Sequence, residues 1–62
     1  MTEGTEYTVN VTGMTADTHV IVLDTVTNGN IVITPGNGFI KVISSADETN
    51  PVINILAIKP NN

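Results

Sequence analysis

The chain has no cysteine and no tryptophan, one histidine, and only two basic side chains, Lys41 and Lys59. Each absence removes a class of protein. Without cysteine there is no disulfide framework, and His19 alone cannot assemble a zinc centre of the Cys/His type. Two lysines in a chain of formal net charge −4 neither neutralise a run of phosphates nor hold an anionic membrane surface. The sequence therefore predicts no nucleic acid, no membrane, no metal and no cofactor. Tyr7 and Phe39 are its only aromatic residues. No apolar run approaches the roughly 18 residues of a transmembrane helix, and Met1-Thr2-Glu3-Gly4 lacks the basic and apolar regions of a signal peptide. The expectation is a chain without an export signal of its own.

What is present is a 62-residue sequence with 40% hydrophobic residues, read as a single β domain over 1–62 with flexible ends at 1–5 and 59–62. A domain of this size buries only about 60% of the surface its unfolded chain exposes. Small domains make up that deficit with disulfides, a metal or oligomerisation. With the first two excluded, self-association or docking on a larger partner remains.

The local signals are all β: abundant Val, Ile and Thr, closely spaced turn residues, and no apolar residues at helical spacing. Five short antiparallel strands and no helix are predicted, forming a small sandwich or an open barrel. The first, residues 6–12, alternates Tyr7, Val9 and Val11 with Thr8, Asn10 and Thr12, the pattern of a strand with one buried face. The second, 18–27, carries the run Val20-Ile21-Val22-Leu23, apolar on both faces. Asn28-Gly29 then reads as a two-residue type I′ hairpin turn that sets Val26 opposite Ile31 and Asp24 opposite Ile33. The third strand, 30–34, stops at Pro35-Gly36-Asn37-Gly38, and the fourth spans 39–44. A polar loop, 44–50, leads to the fifth, 52–58, in which Val52, Leu56 and Ile58 face one way and Ile53, Ile55 and Ala57 the other.

Strands that are apolar on both faces are covered on both faces in folded proteins. Five strands supply enough chain to cover one. The second set of side chains, around Ile21 and Leu23 and along the last strand, needs a partner. Ile21, Leu23, Phe39, Leu56 and Ile58 are the residues predicted to form that protein interface.

Chemistry-bearing residues are few. His19 shares a strand face with Asp17, so a base or metal ligand is geometrically possible, but no second histidine or nucleophile motif accompanies it. Asp47 and Glu48 lack the alternation of a calcium loop and read as solvated loop acids. No catalytic residue is assigned, and an enzyme is not expected. A carbohydrate-binding module is the alternative, with Phe39 and residues 47–50 as its sugar contacts.

The segment Val11-Thr12-Gly13-Met14-Thr15-Ala16-Asp17-Thr18-His19-Val20 resembles the Gly-Leu-x-Pro-x-Thr connection before a late strand in fibronectin type III and related immunoglobulin-like sandwiches. Ala16 stands where that family has proline, and Val20 where it has its corner tyrosine. The resemblance implies a β sandwich. In size, Thr/Asn/Gly richness and lack of cysteine, the whole chain resembles small phage virion proteins such as capsid decoration or fibre-tip modules. That likeness implies a structural protein that oligomerises or decorates a capsid or tail, with the virion as its location.

Overall fold

The computed structural model describes residues 1–60 and contains five strands and no helix among them. These are β1 (Tyr7–Asn10), β2 (His19–Val26), β3 (Ile31–Gly36), β4 (Phe39–Ser44) and β5 (Val52–Ile58). They form two antiparallel sheets, one of order β1-β4-β3 and one made of β2 and β5. The all-β expectation holds, and the sheets are not closed into a barrel: the architecture is an open two-layer sandwich. Its extents are 38 × 19 × 15 Å. With stacked sheets about 10 Å apart, the shortest dimension has room for two layers and no third.

β4 is the middle strand because its alternation suits one. Ile40, Val42 and Ser44 are buried, while Phe39, Lys41 and Ile43 on the other face are half-buried. Val42 lies between Tyr7 of β1 and Ile33 of β3, and Ile40 between Val9 and Pro35. Lys41 covers the outside of this sheet, its Nζ 3.3 Å from the Glu6 carboxylate and 5.9 Å from the centroid of the Phe39 ring. Met14, from the β1–β2 connection, completes the buried core with Ile40 and Val42. Val20, Ile53 and Ile55 of the second sheet pack against that core. Gly13 opens the connection at φ +86°, a region that glycine enters without a Cβ penalty.

The register of β2 on β5 is interrupted. Ile21 pairs with Leu56 and Val22 with Ile55, but Asp24, not Leu23, pairs with Asn54. Leu23 is the extra residue of a β-bulge. Before it, Val20 and Val22 lie on the inner side, Val20 packed against the core and Val22 still 39% exposed; after it, the inward residue is Thr25. The bulge thus inverts the phase of the strand and leaves both Leu23 and Asp24 exposed.

Two expectations are corrected. Asn28 and Gly29 do not form a β2–β3 hairpin, since neither has the positive φ that a type I′ turn requires. β2 and β3 belong to different sheets, and Ile31 pairs with Ser44 rather than Val26. Gly29 is small for another reason: a Cβ there would lie 2.6 Å from Ser45 Oγ and 2.7 Å from the Ala46 nitrogen. Nor does Pro35 end β3, which runs on to Gly36. β3 is an edge strand, where a missing N–H is tolerated because half of those groups have no ladder partner. The tight hairpin is β3–β4, with Gly36 paired to Phe39 across Asn37-Gly38 and Gly38 at φ +86°.

Residues 1–5 run beside the 44–48 segment: the Gly4 amide donates to the Ser44 carbonyl (2.9 Å) and the Glu3 amide to Asp47 Oδ1 (2.8 Å). Of the end expected to be flexible at 59–62, positions 61 and 62 lie outside the described residues.

Candidate functional site

The outward face of β2–β5 is built from alternate residues of two paired strands. Ile21 stands opposite Leu56, His19 opposite Ile58 and Val26 opposite Val52, with Leu23 beside them at the bulge. Ile21, Leu23, Val26, Val52, Leu56 and Ile58 are each 45–69% exposed. Together they leave on the order of 500 Å² of apolar surface in water, which is as large as the biggest such patch on an ordinary monomer. The polar residues on this face are His19, Asp24 and Asn54, the last two paired across the strands.

Four of the five predicted interface residues, Ile21, Leu23, Leu56 and Ile58, come together here. Phe39 does not. It lies on the other sheet beside the β3–β4 turn, half-buried, with its ring so close over Gly36 that a Cβ there would overlap it. Val26 and Val52 belong to the patch and were not singled out in the sequence. Val52 shares the alternation of Leu56 and Ile58, which was the available signal; the expected hairpin concealed Val26 by assigning it a partner in Ile31.

The acidic loop is not solvated at Glu48. This residue is 5% exposed and Ser44 is fully buried. The Glu48 carboxylate accepts hydrogen bonds from the Ser44 hydroxyl (2.6 Å), the Asn28 amide (2.8 Å) and the Gly29 amide (2.9 Å). The Ser44 hydroxyl, then the two amides, hold its pKa below the ordinary carboxylate value of 4.5. Glu48 therefore fastens the β2–β3 loop to the end of β4, a buried charge that is stable because several donors surround it. Asp47 accepts from the Glu3 amide and its carbonyl from the Asn28 side chain (2.9 Å). Residues 47–50 and Phe39 lie at opposite ends of β4, so the two predicted sugar contacts do not meet.

His19 is exposed and, among the described residues, makes no hydrogen bond to Asp17. The Thr15 hydroxyl donates to Asp17 Oδ1 (2.6 Å) and lowers that carboxyl's pKa. No three of the described His, Asp and Glu residues gather as a metal site would require. A cleft of about 220 Å³ lies between the β1–β2 connection and the end of β5, lined by Val11, Thr12, Gly13, Met14, Thr18, Ala57 and Lys59. Its lining offers hydroxyls, aliphatic groups and one cation, with no titratable partner for that cation. No protein-family model, curated protein or solved structure matches the chain.

Proposed function

We propose that this protein is a structural interaction module that acts by binding, oligomerising or decorating a larger assembly such as a phage capsid or tail. The observation that carries this reading is the outer face of β2–β5, where six aliphatic side chains stand 45–69% exposed on a two-strand platform. Among the described residues of this sandwich, none covers that surface. Burying it against protein at about 25 cal/mol per Å² supplies a driving force that needs neither charge nor cofactor. The two faces also divide the labour, since Ile53 and Ile55 hold the fold while Val52, Leu56 and Ile58 remain available.

The test is sedimentation at micromolar concentration, alone and with assembled capsid or tail protein, for the natural chain and a Leu23→Lys/Leu56→Lys variant. The natural chain is expected as an oligomer or bound to the lattice. The doubly charged variant is expected to keep its circular dichroism and lose the association. A folded monomer that binds neither lattice overturns the reading.

A further inference from the structure

Every strand except β4 has one edge with no strand beside it. Free edges invite pairing, and proteins blunt them with brevity, proline, bulges or charge. Three of the four are blunted. β1 has only four residues and is flanked by Glu6. β3 carries Pro35. β2 is kinked by the Leu23 bulge and bears Asp24 beside it. β5 has none of these devices within its span, Pro51 and Lys59 lying just outside it. It is seven residues long, Val-Ile-Asn-Ile-Leu-Ala-Ile, without charge, proline, glycine or bulged residue. No described residue donates or accepts a backbone hydrogen bond along its second edge.

We infer that β5 pairs antiparallel with β5 of a second copy, joining two sandwiches through one four-stranded sheet of order β2-β5-β5-β2. The inference rests on reading the protein as an interaction module, and it names the first partner. A strand that pairs with itself antiparallel generates a two-fold axis, which closes the assembly at two copies. Centring the axis on Ile55 uses all seven residues and keeps each face continuous, because paired positions then share parity. Val52 meets the second copy's Ile58, Ile53 its Ala57, Asn54 its Leu56, and Ile55 its counterpart. No charge meets its like in this register. In a chain of net charge −4 that condition matters, and the same operation on β2 would bring two Asp24 carboxylates to one seam. The joined outer faces present on the order of 1,000 Å² of apolar surface, the scale at which specific protein interfaces begin. The dimer is thus a platform for a larger partner as well as a product of the edge.

The absence of cysteine gives a direct experiment. Asn54→Cys and Leu56→Cys are prepared separately, mixed, and oxidised at high micromolar concentration. Since position 54 lies opposite position 56 of the second copy, the mixture is expected to form the disulfide-linked heterodimer several-fold faster than either variant alone forms its homodimer. Hydrogen exchange on the unmutated protein gives a second readout: the alternate β5 amides that face the free edge are expected to gain protection as concentration rises. Cross-linking dominated by a Val26→Cys homodimer would mean packing through the outer faces and would overturn the inference. So would a monomer at high micromolar concentration with fast exchange at alternate β5 amides. Lattice binding retained by such a monomer would leave the proposed function standing, which separates the two failures.

Discussion

β2 and β4 are similarly rich in Val and Ile, yet Ile40 and Val42 of β4 are buried while Ile21 and Leu23 of β2 stand in water. Strand number makes the difference. In the three-stranded sheet β4 has a neighbour on each side, and Met14 closes over its inner face. Its far end is sealed by Glu48, which ties two loops to Ser44. The two-stranded sheet has no middle strand, and no described residue lies beyond its outer face. In a domain this thin, topology decides which apolar strand is core and which is surface.

Substitutions that break the contrast should follow that division. The largest loss of stability is expected from Ile40→Ala, about 2–5 kcal/mol for a buried aliphatic truncated to alanine, read from chemical denaturation. Next is Glu48→Gln, which leaves two loop amides and a hydroxyl facing a neutral group that fits them less well. A carboxylate whose folded pKa is depressed contributes stability that is complete above its ordinary value of 4.5 and is lost as pH falls through the folded pKa. Thermal melts across this acid range should therefore show a steep fall for the natural chain. In the glutamine variant the melting temperature should be lower at neutral pH and flatter below, the residual slope coming from Asp17, which the Thr15 hydroxyl holds in the same sense.

Gly29→Ala is expected to cost about 1–3 kcal/mol by overpacking, because its Cβ would press on the Ala46 backbone nitrogen at 2.7 Å. Denaturant midpoints check it. The smallest effect on the fold belongs to Leu23→Thr, within about 0.5 kcal/mol as at ordinary surface positions. The same variant should weaken association measured by sedimentation, so that stability and assembly respond on opposite sides of one sheet.

Much of this was legible in the sequence. β4 and β5 occupy the residues their alternation marked, and the two-faced apolar pattern pointed to Ile21, Leu23, Leu56 and Ile58. Pairing was not legible. Asn-Gly is the strongest short hairpin signal, yet Gly29 serves clearance for a crossing loop, a contact 15 or more residues away in sequence that no local pattern encodes. Glu48 was hidden for a related reason: its donors come from residues 28, 29 and 44, two of them backbone groups that carry no compositional mark. The packing of Phe39 was not legible either, because an aromatic beside a turn says nothing about the glycine across the strand that its ring covers.

The bulge at Leu23 is one residue more than the β2–β5 ladder uses. Deleting that one residue would leave Val22 opposite Ile55, Asp24 opposite Asn54 and Thr25 opposite Ile53 in an unbroken ladder, with Asp24 still outward and Thr25 still inward. Most single replacements at this exposed position change only what a partner would touch. Loss of the codon would keep inside and outside along the rest of the strand and straighten its free edge, so what the extra residue contributes is the kink that blunts that edge.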